Sequence, residues 1–289
     1  MSTWHETLQT FATWNFFGVV ILLTLAEWMF PRKAGSSRGL MRPTSNVAIG
    51  FLNTYVLHAT IPVAAVGWAV VVENHGWGAL NLLDVNIWLT VPISVLAIDL
   101  VHYLRHLWLH RNAWLWRIHI THHSDLDYDF TTGLRFHPLD ALFSLLVVMT
   151  VVALLGAPAV AVVIAELLST TSVLVEHSNM RIPQRLDRVL RRLVVTPDMH
   201  RVHHSRAEGD TAHNLATVFS FWDRLFGTYR EYAASVTAGL VIGLAEFDDR
   251  KHLRLDWMLA QPFLPAHQHA HESPNRSSRS EACAPSTSQ

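Results

Sequence analysis

The sequence predicts an all-α integral membrane protein, a helical bundle of about four spans with a histidine-rich cap at one end. Three observations predict this class. The chain has 289 residues, of which 50% are hydrophobic and only 16% are charged, fewer charges than a soluble domain of this size carries. Its apolar runs are long enough to cross the hydrocarbon core, which takes about 20 helical residues. Several of its 11 tryptophans flank those runs, as residues of a membrane interface do.

The apolar runs set the order of the elements. In chain order they are residues 11–30, 46–72, 87–104 and 141–175. Pro62 predicts a kink in the second run, since proline removes a helical hydrogen bond. The fourth run is too long for one span, and the GAP stretch at 156–158 divides it into a tight helical hairpin. We expect the first run to be retained, because no basic region precedes it and no small-residue cleavage site closes it. A large soluble core is the alternative, but runs this long and charge-poor favour the membrane.

The loops between the runs predict the orientation of the bundle. Residues 31–42 contain basic residues and no acids, whereas residues 73–86 contain two acids and no Lys or Arg. The positive-inside rule places the first loop in the cytoplasm and the second outside. Alternation of the spans then places residues 105–137, and everything after about residue 176, in the cytoplasm, with the GAP turn outside.

Three histidine clusters fall at the predicted cytoplasmic ends of the spans or beyond them. Within each cluster the histidines are three or four residues apart, which puts them on one face of a helix. Their members are His102 and His106, then His119, His122 and His123, then His200, His203 and His204. Convergent neutral imidazoles bind metals, and eight are too many for one ion, so the pattern predicts two ions with open positions. His177, just past the last span, is a candidate ninth ligand.

Other histidines and several other functions are set aside by the sequence. Isolated histidines, including His110, are interpreted as packing or surface residues, and the HQHAH stretch at 267–271 lies in a tail of disordered composition. The net charge of −1 and the lack of a basic stripe exclude nucleic-acid binding. The one cysteine, Cys283, excludes a disulfide framework, a cysteine zinc site and an iron–sulfur site. Some acids are expected to orient the ligand imidazoles; the candidates are Asp99, Asp125, Asp127, Glu176 and Asp198.

Five stretches together resemble the fatty acid hydroxylase superfamily, also called the sterol desaturase family. In order they are HYLRH, HITHHSDLDYDFTTGLRFHPLD, EHSNMR, PDMHRVHHSR and HNLATVFSFWDRLFGTY. The resemblance covers roughly residues 85–230. It implies a membrane-bound non-haem di-iron enzyme that uses dioxygen on lipids. It also implies as iron ligands His102, His106, His119, His122, His123, His177, His200, His203 and His204.

The resemblance marks three further residues near the metals. His137 falls in the family's HP element, as a ligand or as a neighbour of one. Asn214 keeps its place in a motif where the family has Asn-Tyr-Gly, but Leu215 and Ala216 replace the other two residues, which leaves the loop geometry open. His213, beside Asn214, is a candidate to reach the metals.

These observations predict a membrane-bound oxygenase that hydroxylates a lipid with dioxygen and two iron ions. A desaturase on the same metals is the alternative, and a metal transporter or sensor without redox chemistry is the alternative from another class. No dinucleotide-binding motif, cysteine pair or haem segment is present, so electrons must come from a separate ferredoxin, flavoprotein reductase or b-type cytochrome. The expected regions are 1–84 (N-terminal membrane region), 85–235 (catalytic domain), 236–265 (cytoplasmic extension) and 266–289 (disordered tail).

Overall fold

The computed structural model describes residues 3–33 and 39–264, and within these ranges the chain is helical, with isolated β-bridges in place of strands. The longer helices are α1 (Thr3–Met29), α2 (Met41–Thr60), α3 (Ala64–Asn74), α4 (Ala79–Leu82), α5 (Ile87–Arg111), α6 (Ala113–His123), α7 (Pro138–Leu155) and α8 (Ala159–Glu176). The shorter ones are α9 (Gln184–Leu190), α10 (Pro197–His203), α11 (Phe221–Leu225), α12 (Ala234–Gly239) and α13 (Leu255–Ala260). Single 3₁₀ turns lie at Phe130–Leu134, Asp210–Ala212, Ala245–Phe247, Arg250–Leu253 and Gln261–Phe263.

Five segments of the described chain are long and apolar enough to cross a membrane. They are Thr10–Met29, Met41–Leu82, Ile87–Arg111, Pro138–Leu155 and Ala159–Glu176. The helix ends at Thr60, ahead of Pro62, and resumes at Ala64, so the predicted kink is a break between α2 and α3. The predicted hairpin forms α7 and α8, with Gly156 in the left-handed conformation (φ 78°) at the end of α7.

Small and β-branched side chains allow the central helices to pack closely. Ala65 and Ala69 of α3 form one core with Ile98 of α5, Val152 of α7 and Val162 of α8. Close approach of this kind is how helices associate in a bilayer, where lipid is as apolar as the side chains. α5 packs against both legs of the hairpin, α1 packs on α8, and α2 packs on α7. The result is a bundle with α5 near its centre.

The loops after α3 and α7 meet at one end of the bundle. A Cβ on Gly78 (φ 93°) would lie 2.1 Å from the backbone nitrogen of Gly156, so neither loop has room for a side chain there. Beside this contact, a Glu73 carboxylate oxygen accepts a hydrogen bond of 3.2 Å from the backbone nitrogen of Ala159. The two loops that the sequence assigned to one side of the membrane therefore share one end. The histidine clusters lie at the opposite end of α5 and α8.

A buried arginine, Arg135, forms hydrogen bonds with three distant parts of the chain at the histidine end of the bundle. Arg135 is 0% exposed. Its guanidinium donates to Asn46 Oδ1 of α2 at 3.0 Å, to the carbonyl of Thr121 in α6 at 2.8 Å and to the carbonyl of His252 at 3.0 Å. Burial lowers the pKa of Arg135 to about 10, which leaves it cationic at neutral pH. A nearby buried ion pair, Arg42 with Asp125 at 2.9 Å, ties α2 to the same region.

The C-terminal segment completes this region by holding α6. The carbonyl of Met258 accepts from Thr121 Oγ1 at 3.1 Å. The carbonyls of Pro262 and Leu264 accept from Arg117 at 2.9 and 3.0 Å. Because α6 contains the second histidine cluster, residues up to 264 belong to the support of the site.

Candidate metal centre

The structure gathers nine buried histidines into two groups. We call His106, His110, His119, His123 and His203 site A, and His122, His177, His200 and His204 site B. Within each group, one ring nitrogen from every member lies within 4.8 Å of those of the others. Imidazoles that converge in this way are the arrangement that a metal ion needs.

Helical spacing explains how the clusters divide between the two groups. His119 and His123 are one turn apart on α6 and both belong to site A, whereas His122 is turned away from them and belongs to site B. In the third cluster the division is reversed, since His200 and His204 belong to site B and His203 to site A. The second and third clusters therefore each contribute to both groups.

Four of the rings are oriented by hydrogen bonds on the side that faces away from the group. In each ring Nδ1 donates to an oxygen that can only accept, so the proton is on Nδ1 and the Nε2 lone pair is free for a metal. The pairs are His106 with the carbonyl of Leu215 (2.8 Å), His203 with that of His213 (2.9 Å), His177 with that of Val173 (2.7 Å), and His119 with Asp140 Oδ2 (2.7 Å).

The nitrogens that face inward either have no hydrogen-bond partner or contact only other imidazoles of the two groups. In site A, the Nε2 atoms of His119, His123 and His203 are buried without a hydrogen-bond partner. In site B, His177 Nε2 lies 3.1 Å from the Nε2 atoms of both His122 and His204. Buried polar atoms are rarely left unpaired. Metal ions would satisfy all of them at once, so these residues fit a pair of ions.

Burial also keeps the rings in the form that binds metals. It lowers the pKa of His123 and of His204 well below the usual value for histidine, and the neighbouring imidazoles lower the pKa of both rings further. Both rings are therefore neutral at physiological pH. A metal ligand must be neutral imidazole, so the site is ready for an ion without first losing protons.

Asp140 is a functional residue that the sequence did not reveal. Its carboxylate is 1% exposed and accepts from His119 Nδ1 and from Arg105, both at 2.7 Å. A carboxylate behind a ligand imidazole fixes the ring and its tautomer. Asp140 belongs to the HPLD stretch, in the first turn of α7, which lies against α6. No local sequence pattern shows that its partner is His119.

Most of the acids suggested by the sequence have other roles. Asp99 accepts from the backbone nitrogens of Val218 and Phe219 and from the Trp222 indole. Asp125 pairs with Arg42, as described above. Asp198 pairs with Arg32 at 2.9 Å and Asp127 accepts from the backbone nitrogen of Tyr128. Of the five, only Glu176 lies beside the histidine groups, 3.8 Å from a ring nitrogen of His200.

Eight of the nine histidines expected as ligands lie in sites A and B, and His102 does not. His102 lies one turn before His106 on α5, where its ring lines a cavity. The ring of His110, one turn after His106, instead belongs to site A, with Nε2 3.2 Å from His106 Nε2. This position makes His110 a candidate ligand, whereas the sequence was interpreted as giving it a packing role. All three share one face of α5, and the rings of His106 and His110 lie beside those of His119 in α6 and His203 in α10.

The three residues expected near the metals support the site from outside both groups. His137 caps α7, accepting from the backbone nitrogen of Leu139 at 3.1 Å. The ring of His213 bonds to the carbonyl of Gly209 (2.8 Å). The backbone carbonyl of His213 contacts the ring of His203, a member of site A. Asn214 (φ 55°) donates to the carbonyls of Met199 and Arg230.

The loop that departs from the family pattern is held by a carboxylate. Backbone nitrogens of Leu215 and Ala216 donate to Asp223 at 2.8 and 3.1 Å. These bonds place the Leu215 carbonyl against His106 Nδ1. The loop thus orients the His106 ring through a backbone carbonyl, a contact that does not require the Tyr and Gly residues of the family pattern.

A cavity of about 440 Å³ extends from the histidine groups into the bundle. Its aliphatic walls come from α3, α5, α7 and α8, and include Ile98, Leu145 and Val162. His122, His177 and His200 lie at its histidine end. The volume falls within the range of about 300–1,000 Å³ typical of small-molecule sites. A long apolar molecule that entered from the bilayer would meet both histidine groups.

The structure defines a class of protein: a multi-pass membrane protein with two buried histidine groups that could hold metal ions. An apolar cavity leads to these groups. The comparisons with known proteins agree with this class. Residues 91–228 of the chain match the model of the fatty acid hydroxylase family.

Several characterised relatives are lipid oxygenases. Human (Homo sapiens) alkylglycerol monooxygenase is 31% identical over 160 residues, which cover 55% of this chain and 34% of the relative. The Xenopus tropicalis alkylglycerol monooxygenase is 32% identical over 241 residues, covering 82% of this chain and 51% of the relative. Ornithine lipid hydroxylase OlsE of Rhizobium tropici is 34% identical over 143 residues, which cover 48% of this chain and 41% of the relative. The chain thus spans between a third and a half of these relatives' lengths. No solved structure matches it.

Proposed function

We propose that this chain is a membrane-bound oxygenase that hydroxylates a lipid at a C–H bond, using two iron ions, dioxygen and electrons from a separate protein. The observation that carries the proposal is the pair of histidine groups at the end of an apolar cavity between membrane-spanning helices. The relatives named as a monooxygenase and a hydroxylase support hydroxylation over desaturation.

The proposed iron ligands are the members of sites A and B, with His110 in place of His102. Imidazole nitrogen is a donor that suits ferrous iron. When bound, the two irons would supply the redox chemistry that activates dioxygen toward an unactivated C–H bond.

The chain's own residues prepare the site for this chemistry. Asp140 and the backbone carbonyls behind the rings hold Nε2 lone pairs inward, so little reorganisation is needed. Ile98, Leu145 and Val162 exclude water from the cavity and align an alkyl chain, which brings one carbon near the histidine groups. Arg105 anchors Asp140 and so fixes His119 indirectly.

The proposal can be tested by following oxygen into lipid. Iron-loaded protein in bilayer discs, supplied with a ferredoxin and its reductase, should incorporate one atom of ¹⁸O from ¹⁸O₂ into a lipid, detected by mass spectrometry. His203→Ala should abolish the product. Glu73→Gln, a change in the last turn of α3 at the other end of the bundle, should leave it unchanged. A product that lacks two hydrogens and contains no ¹⁸O would indicate desaturation instead. Full activity with zinc alone under anaerobic conditions would refute an oxygenase.

We also propose that the histidine end faces the cytoplasm, where a reductase docks. The support is the excess of basic residues in the loop at 31–42. In a Cys283→Ser background, a cysteine introduced at Asn81 should react with an impermeant thiol reagent in intact cells. One introduced at Ser36 should not react. The opposite pattern would place the histidine end outside and would exclude a cytoplasmic electron donor.

A further inference from the structure

Site B has four ring nitrogens where site A has five, and a carboxylate lies beside it. Glu176 is the last residue of α8 and precedes the site B ligand His177. It is 2% exposed and lines the histidine end of the cavity together with His177 and His200. Its backbone carbonyl accepts from Tyr128 at 2.7 Å, which fixes the end of the helix.

The carboxylate of Glu176 faces ring nitrogens without bonding to them. Its Oε1 lies 3.8 Å from His200 Nε2, and also 3.8 Å from His177 Nδ1. Both distances are too long for hydrogen bonds. Its Oε2 is buried without a partner, and so are both ring nitrogens of His200. The carboxylate, with Oε2 unpartnered, thus lies beside a His200 ring whose nitrogens also have no hydrogen-bond partner.

The other buried carboxylates around the site show how this fold neutralises such groups. Asp140 pairs with Arg105 at 2.7 Å, and Asp125 pairs with Arg42 at 2.9 Å. No Lys or Arg within residues 3–33 and 39–264 forms a salt bridge with Glu176. An isolated buried carboxylate is strongly unfavourable, and such groups are normally paired or bound to a metal.

The spacing beside His200 suits a shared metal ion. Two ligands that each stand about 2.1 Å from one ion are at most about 4.2 Å apart. The 3.8 Å separation of Glu176 Oε1 from His200 Nε2 lies inside that limit. Glu176 is outside the set of atoms within 4.8 Å of one another that defines site B, so its carboxylate would have to turn toward the ion to share it with the other three rings. A carboxylate would also cancel part of the charge of an ion surrounded by neutral imidazoles in a buried site.

We propose that Glu176 is the fifth ligand of site B, so that the two metal ions differ, one with five imidazoles and the other with four imidazoles and a carboxylate oxygen. This inference rests on the assignment of sites A and B in the proposed function. Because carboxylate oxygen suits harder ions than imidazole does, the two ions should differ in affinity and in spectrum.

The test measures metal binding rather than turnover. Full-length wild type and Glu176→Gln are titrated anaerobically with ⁵⁷Fe²⁺ against a competing chelator, and the Mössbauer spectrum is recorded at saturation. The glutamine keeps the shape and an accepting oxygen but loses the charge. We expect one ion to bind as in wild type and the other about 10- to 100-fold more weakly. One of two ferrous signals should change.

A matched control and a second variant sharpen the result. Glu166→Gln alters another glutamate of α8 that lines the same cavity but has no described ring nitrogen beside it, and it should bind both ions normally. Glu176→Asp keeps the charge and should retain more of the second ion than Glu176→Gln does.

Two results with Glu176→Gln would overturn the inference. Wild-type affinity for both ions would show that the carboxylate is not a ligand. An equal loss of both ions would show that Glu176 supports the fold rather than one site. The failure of wild type to bind two ions would instead refute the proposed metal centre itself.

Discussion

Replacing Asp140 with asparagine is expected to weaken metal binding at site A. The carboxylate accepts from His119 Nδ1 with one oxygen and from Arg105 with the other, each at 2.7 Å. Asparagine is nearly isosteric but has one accepting oxygen and one donating nitrogen. In Asp140→Asn, one of the two donors must therefore face an NH₂ group and lose its bond.

The size of the effect follows from this geometry. A buried donor left without a partner costs about 1–3 kcal/mol. At about 1.4 kcal/mol for each factor of ten, that corresponds to a loss of about 5- to 150-fold in affinity when the His119 bond is lost. The range agrees with the roughly 10- to 100-fold losses seen when a carboxylate behind a metal-bound histidine is removed.

The assay is a competition titration with a chelator, with thermal unfolding recorded on the same samples. Asp99→Asn is the matched control, because Asp99 is also a buried acid but binds backbone nitrogens and Trp222 rather than a ligand ring. We expect that control to lose thermal stability and to keep its affinity for metal. Wild-type affinity of Asp140→Asn for both ions would refute the role assigned to Asp140.

Three further outcomes are expected. His110→Ala should lose one ion in equilibrium dialysis while His102→Ala keeps both, and the reverse would restore the ligand set inferred from the sequence. A chain ending after Leu264 should keep its metal and activity. A chain ending after Arg254 lacks the carbonyls that hold α6 and should lose both. Equal metal contents in the two truncated chains would contradict this. Arg42→Met removes the salt-bridge partner of the buried Asp125, which keeps its hydrogen bonds from Asn46 and Thr132. It should lower stability by up to about 3–5 kcal/mol in thermal unfolding, and an unchanged transition would show that the pair is dispensable.

Features that depend on local spacing were predictable from the sequence. The length of the apolar runs gave the spans, and the GAP stretch gave the hairpin. The two HxxHH clusters placed His119, His122 and His123, and likewise His200, His203 and His204, on helix faces that do form the site. In these cases the periodicity of a single helix determines which side chains can meet.

Features that depend on contacts between helices were not predictable. His102, His106 and His110 are equally spaced on one face of α5, so spacing cannot say which two are ligands. That choice depends on where α6 and α10 cross α5. In the same way, the pairing of Asp140 with His119 joins residues 21 positions apart, on different helices.

The bonds of Arg135 have a consequence for when the site can form during synthesis. Its partners on α2 and α6 precede it in the chain, but its partner His252 follows 117 residues later. At about 5–20 residues per second, that interval lasts roughly 6–23 s on the ribosome. By the end of this interval all nine histidines of sites A and B have been translated, while α6 still lacks its C-terminal support. The nascent chain therefore carries an unfinished centre, and firm capture of metal should follow synthesis of the segment up to Leu264.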